Sequence, residues 1–233
     1  MGEAPVRPPA WSRRPGVADE VRSVLHRGIV TGTIPGGTRL TQTRIAAELG
    51  VGTRPVRDAL RDLAAGGFVR FGPDGVAVVH ELGRAELSDL FEIRKLLEPV
   101  AVARAARHTG RDAILRAVEL LSLMERETDG TRWADHNDSF HTVLSEAGNS
   151  PRLNAILANL RELSALYVTH SVTAAQGRTR GSSAAEHEEI LRAVIARDPA
   201  AAAEATFRHL DGRLTELLEV RQVGAPSRRR STG

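Results

Sequence analysis

Three arginines, Arg54, Arg57 and Arg61, recur three and four residues apart within Gln42–Val69. At that spacing their guanidinium groups share one face of a helix, where each can clamp a phosphate or pair two-pronged with a guanine edge. At about 100° per residue, Val56, Ala59, Leu60 and Leu63 fall together on the opposite face. One side can therefore bury itself in a small core while the other meets a polyanion. Arg44, early in the preceding helical stretch, is placed to reach a duplex backbone. Arg61, two turns in, is the one of the set that a solvated surface would explain equally well.

These residues need a scaffold. The chain predicts a helix over 16–31 with Val17, Val21, Val24, Leu25 and Ile29 inward, then turn chemistry in GTIPGGTRL ending in a short extended piece. Thr41 is expected to cap a second helix with Ile45, Ala46 and Leu49 inward. Gly50-Val51-Gly52 is the turn, and Thr53 is expected to cap the arginine helix, with Pro55 tolerated in its first turn. FVRF and VAVVH flank Gly72-Pro73-Asp74-Gly75, a hairpin pattern. Three helices and a hairpin make a winged helix-turn-helix, and the arginine helix is its recognition helix.

Beyond residue 84 only helical periodicity remains. Leu87, Leu90, Leu97, Val100 and Ala101 are expected to line one helix; Ile114, Val118, Leu121 and Met124 another; Ala203, Phe207, Leu210, Leu214 and Leu217 the last. Thr173–Ser183 reads as a polar loop. The fold class is thus mainly α: the winged head, then an all-α bundle of six or seven helices. The boundaries expected are a disordered arm at 1–15, the head at 16–80, a linker at 81–84, a helical domain at 85–222, and a disordered basic tail at 223–233.

Composition agrees with this division. Residues 1–80 hold 11 Arg against 7 Asp and Glu, residues 81–220 hold 17 Lys and Arg against 22 acids, and residues 221–233 add four Arg. A basic amino-terminal part beside an acidic body suits a polyanion bound at one end. The absence of cysteine excludes disulfides and thiolate metal sites. No apolar run has the length of a membrane span or the form of a signal peptide, so a cytoplasmic protein is expected.

The chain resembles the GntR family of bacterial transcription regulators, with an FCD-type effector domain. The resemblance is carried by GTIPGGTRL, IAAELGVGTRPVRDAL and GGFV in the first half. In the second half it is carried by DLFEIRKLLEP at Asp89–Pro99, NDSFH at Asn137–His141, EAGNSPRL at Glu146–Leu153, and the segment Glu186–Leu210. It implies a homodimer on double-stranded operator DNA, with Arg44, Thr53, Arg54, Arg57 and Arg61 at the DNA face. It also implies a divalent metal (Zn, Ni, Mn or Fe) held by Asn137, His141, His187 and His209, and a small carboxylate effector held by Arg94. Two departures stand out. In the DNA-binding half the arginine before the proline is displaced by one position to Arg54, and the wing between Pro73 and Gly75 is one residue short and lacks its usual basic residue. Asn137 occupies the place of a carboxylate, so it brings a carbonyl oxygen but no charge. Asp138, one step round the helix, could substitute only if the helix were rotated.

The competing interpretation of the histidines is that they are ordinary core residues; that of Arg94 is a pair with Glu98, four residues on. A metal-dependent enzyme and a ligand-independent architectural DNA-binding protein are the alternative functions. The first lacks a general base, a nucleophile elbow and a phosphate loop. The second leaves the polar residues at inward bundle positions without a task.

Overall fold

The computed structural model describes residues 16–81, 83–174 and 178–224, with the side chains at 166–174, 178–182 and 220–224 outside that description. The arm at 1–15 and the tail beyond 224 lie outside the described residues. The chain divides into two compact units, Met1–Glu81 and Leu82–Gly233.

The first unit holds α1 (Val17–Val30), β1 (Arg39–Leu40), α2 (Gln42–Leu49), α3 (Thr53–Ala65), β2 (Val69–Phe71) and β3 (Ala77–Val79). Its sheet runs β1-β3-β2, antiparallel throughout, with Arg39 opposite Val78 and Arg70 opposite Val78 from the other side. The expected wing is therefore present, and the extended piece before α2 joins it as a third strand. Asp19 closes the first turn of α1 by accepting from the Gly16 N–H at 3.0 Å. Gly50 ends α2 at φ 66, a left-handed conformation that glycine adopts without a Cβ clash. Val56, Ala59, Leu60 and Leu63 of α3 are all buried, as their spacing predicts. Full burial of three such large aliphatics contributes roughly 1.5–3 kcal/mol each.

Three details differ from expectation in this unit. Val17, Val24 and Leu49 are exposed, because α1 and α2 present narrower apolar faces of Val21, Leu25 and Ile29, and of Ile45 and Ala46. Thr41 stands at the N-cap of α2 without a side-chain hydrogen bond. Gly52, rather than Thr53, is the N-cap of α3, so Thr53 is its first helical residue.

The second unit consists of α4 (Arg84–His108), α5 (Arg111–Arg126), α6 (Gly130–Ala147), α7 (Pro151–Ala174), α8 (Arg178–Ile195) and α9 (Pro199–Gly224). Six helices thus form the bundle among the described residues. Arg84, assigned to the linker, already belongs to α4, and α9 runs past the expected boundary at 222. The stretch read as a polar loop is helical up to Ala174 and again from Arg178. Its polar composition disguised helix-compatible Thr, Arg and Ser positions.

Leu87, Phe91, Leu120, Phe140, Leu144, Ile190 and Leu210 belong to one continuous apolar core. Two inner stripes are rotated from those expected. Val100 is exposed on α4, where Arg94, Glu98, Ala101, Val102 and Ala105 turn inward; Phe207 is exposed on α9, where Ala202, Ala205, Thr206, His209 and Arg213 turn inward. Val118 of α5 is likewise exposed, with Ala117 and Leu120 buried instead. Gly148 ends α6 against α4: a Cβ there would meet the Ala101 carbonyl oxygen at 2.6 Å, and Arg104 Nε donates to the Gly148 carbonyl at 3.1 Å. That close approach accounts for the sharp break at GNSPR.

Candidate functional site

In the first unit, Arg54, Arg57 and Arg61 all lie exposed on α3, opposite its buried stripe. Arg57 Nε stands 3.8 Å from its neighbour Asp58, with both side chains about half in solvent. Arg44 on α2 donates to Glu48 at 2.7 Å, and that hydrogen bond raises its pKa further. Such an exposed i, i+4 pair is weak and exchanges readily for a phosphate. Thr53 is exposed at the helix start, among the amides that favour anions. The wing contributes what sequence reasoning missed. Arg70 is exposed on β2, and Arg39 of β1 pairs with Asp74 at the hairpin tip. The Arg39 hydrogen bond holds the Asp74 carboxyl below its usual range. Only the strand pairing brings Arg39 to the wing, so no local signal could have marked it.

The second unit carries a buried polar layer to which five of its six helices contribute. His141 of α6, His187 of α8 and His209 of α9 are 3%, 1% and 4% exposed. Their ring nitrogens lie within 4.8 Å of one another, with 3.3 Å between His187 Nε2 and His141 Nε2. Residues far apart in sequence thus converge on one point. Glu186 Oε2 lies 2.8 Å from His209 Nδ1 and orients that ring, leaving Nε2 as its other coordinating atom. Phe140 packs against His141 and His187 and walls the cluster.

Burial pushes the His141 and His187 pKa values well below the ordinary range, and their mutual repulsion, His209 and nearby arginines add to the effect. Neutral imidazoles result, each with a lone pair to give. A tetrahedral zinc with nitrogens about 2.0–2.1 Å away would separate them by roughly 3.3–3.4 Å, which the His141–His187 spacing matches. The residues therefore fit a divalent cation. Asn137 lies half-buried one turn before His141 on α6. Asp138 is half-exposed and faces Arg161 Nε at 3.6 Å, so the cluster holds three histidines and no carboxylate among the described residues. Partial burial raises the Asp138 carboxyl in spite of Arg161.

Three arginines surround the histidines. Arg94 of α4 is 6% exposed and grips Glu98 two-pronged, at 3.1 and 3.3 Å, while its Nη1 donates to Ser164 at 2.9 Å. The pair with Glu98 weighed from the sequence is present. Arg161 of α7 donates to Ser145 Oγ at 2.8 Å and to the His141 carbonyl at 3.4 Å, and lies 3.9 Å from Glu98. Arg213 of α9 donates through Nη1 to Glu216 at 2.9 Å. Arg161 and Arg213 were missed from sequence, as was Glu186. The available signal was a charged residue at an inward position: Arg161 lies between Leu157 and Ser164, and Arg213 one turn after His209.

Comparison with known proteins agrees with both units. Residues 17–78 match the family described as "Bacterial regulatory proteins, gntR family", and residues 89–212 match the FCD domain. The chain is 25% identical over 170 residues to the "Gluconate operon transcriptional repressor" of Bacillus licheniformis, covering 72% of this chain and 70% of that protein. It is 26% identical over 210 residues to the "HTH-type transcriptional repressor GlaR" of Escherichia coli, covering 86% and 94% respectively. Among solved structures, E. coli McbR/YncC superposes with a TM-score of 0.77 at 21% identity, over 88% of this chain and 98% of that one. Relatives and fold alike are those of transcription regulators rather than enzymes. Among the described residues no helix is long and apolar enough to cross a membrane.

Proposed function

The chain belongs to the GntR family of bacterial regulatory proteins with an FCD domain, and on that premise we propose that it is a dimeric, metal-holding repressor released from its operator by a small carboxylic acid. The observation that carries the effector half is the convergence of His141, His187 and His209 on one buried point. These three would hold a divalent cation, with Asn137 offering a neutral oxygen. The bound cation would act as a Lewis acid toward a ligand carboxylate. Arg94, held by Glu98 and Ser164, would turn its guanidinium toward the ligand carboxylate, its charge already largely balanced by Glu98. The name of one relative ties it to a gluconate operon, and gluconate is itself a carboxylate, which supports the same ligand class.

Homodimerisation is supported by an apolar row left in water on α4. Ile93, Leu96 and Val100 are 45%, 72% and 52% exposed at spacings of three and four, so they share one helix face. Two such chains would present their α3 helices to successive major grooves of a pseudo-palindromic operator. Arg57 and Arg54 would read base edges; Arg44, Thr53 and Arg61 would hold phosphates. Ligand binding would shift α4, and the short segment at 81–84 would carry the movement to the heads. The coupling can be no larger than the ligand's preference for one arrangement over the other.

Selection of binding sites from random duplex DNA tests this. The full chain is expected to enrich a two-fold symmetric sequence. Arg57→Ala is expected to lose that enrichment while melting within about a degree or two of the wild type, since its half-exposed side chain makes only a loose 3.8 Å contact with Asp58. Retention of the same site at the same affinity would contradict the assignment.

A further inference from the structure

The arginines and acids around the histidines are unequal in number and in depth. Arg94, Arg161 and Arg213 are each at most 8% exposed, and among the described residues only one carboxylate, Glu98 at 1%, is equally buried. The other carboxylates in range stand nearer water: the side chains of Glu216, Glu186 and Asp138 are 31%, 38% and 52% exposed. Arg94 and Glu98 neutralise each other. Arg161 is pinned by three acceptors of α6 and reads as a brace between helices. Its Nε, without a hydrogen bond among the described residues, faces Asp138 at 3.6 Å. Arg213 is different. Among the described residues its one hydrogen-bond partner is Glu216, through Nη1, and its Nη2 is buried with none. Arg213 follows His209 by four residues on α9, so both project from one face. The charge of Arg213 also acts on His187, lowering its pKa.

A buried guanidinium N–H without an acceptor is costly, and such a group persists where something outside the protein completes it. We infer that Arg213 is a second anion anchor of this site, and that the natural effector carries two acidic groups, one toward the histidines and one toward Arg213 Nη2. This rests on the ligand site proposed above and narrows its ligand class from a carboxylic acid to a diacid, whose second group is a carboxylate or a phosphoryl group. A cation at the histidines would only enlarge the excess of positive charge and so favour a dianion further.

The test is calorimetric titration of the full-length, zinc-loaded protein with matched acids. Malonate, succinate and glutarate are each compared with propionate, butyrate and valerate, and 3-phosphonopropionate serves as the phosphoryl arm. At least one diacid is expected to bind roughly 10- to 100-fold more tightly than its matched monoacid, the range of one charge-assisted hydrogen bond. The tighter of succinate and 3-phosphonopropionate identifies the second group. Arg213→Gln is expected to abolish the diacid advantage while metal content and monoacid affinity stay unchanged, and Arg213→Lys to keep part of it. Equal affinity for diacids and monoacids in the wild type would overturn the inference and leave the underlying site intact. So would a glutamine variant that weakens both classes alike. A protein that holds neither metal nor any acid would contradict the site itself, and the inference with it. The wild-type comparison decides the matter even if the glutamine variant fails to fold.

Discussion

Replacing Glu98 by Gln removes the one carboxylate among the described residues that is as deeply buried as the arginines around it. In the native chain Glu98 lies 3.1 Å from Arg94 and 3.9 Å from Arg161, and all three are buried. At an effective dielectric near 20, those separations correspond to attractions of roughly 5 and 4 kcal/mol, most of which the desolvation of the ions offsets. Breaking such a buried pair by removing one partner typically costs about 3–5 kcal/mol, because the remaining charge is stranded. For a domain of this size each kcal/mol lowers the melting temperature by about 2–4 °C, so a fall on the order of 10 °C is expected. Scanning calorimetry in low-chloride buffer measures it, the first unit serving as internal reference. Added carboxylate is expected to stabilise Glu98→Gln more than the wild type, since the anion replaces the lost charge. The double variant Arg94→Met/Glu98→Leu is expected to lose much less than the two single changes together. A fall below about 2 °C for Glu98→Gln, a limit set by that same scaling, would refute the view of Glu98 as the electrostatic centre of the layer. Strict additivity in the double variant would do the same.

Further expectations concern pH, packing and assembly. His141 and His187 titrate below their ordinary value of about 6.5 when folded, so the stability tied to their neutral forms is present above that value and lost as pH falls below it. Between neutral solution and pH 5.5 both therefore contribute a progressive loss of stability. Chelator-treated protein melted across pH 5.5–8 should show this slope, and His141→Gln/His187→Gln should flatten it. Gly148→Ala pushes a methyl against the Ala101 carbonyl and should cost about 1–3 kcal/mol by urea denaturation; an unchanged midpoint would mean that α6 can withdraw from α4. Leu96→Glu places a charge on the exposed row of α4 and should shift the chain from dimer to monomer in light scattering, with little change in helix content. A dimer that persists would assign the interface to another face.

Legibility in the sequence followed how cleanly each helix separates apolar from charged residues. On α3 the apolar residues occupy one stripe and the arginines the other, so Val56, Ala59, Leu60 and Leu63 could be placed from spacing alone. On α9 alanine is abundant on every side and the inner face includes Thr206, His209 and Arg213. Hydrophobic periodicity there followed Phe207, which faces water. The same error on α4 hid Val100 among inward residues while Arg94 and Glu98 took the buried positions. The histidines could be named from motifs, but their meeting point depends on how α6, α8 and α9 pack. Arg39 reached the wing through strand pairing, and Arg213 reached its buried position through the rotation of α9. Neither is encoded locally.

The central claim is that His141, His187 and His209 form a metal-holding centre within the effector domain. Metal content of tag-free protein purified without chelator, measured beside His187→Ala, tests it most directly. The account predicts about one divalent metal per chain, as one tetrahedral centre requires, and its loss in the variant. Absence of metal from the wild type, even after incubation with zinc, nickel and manganese, would contradict it.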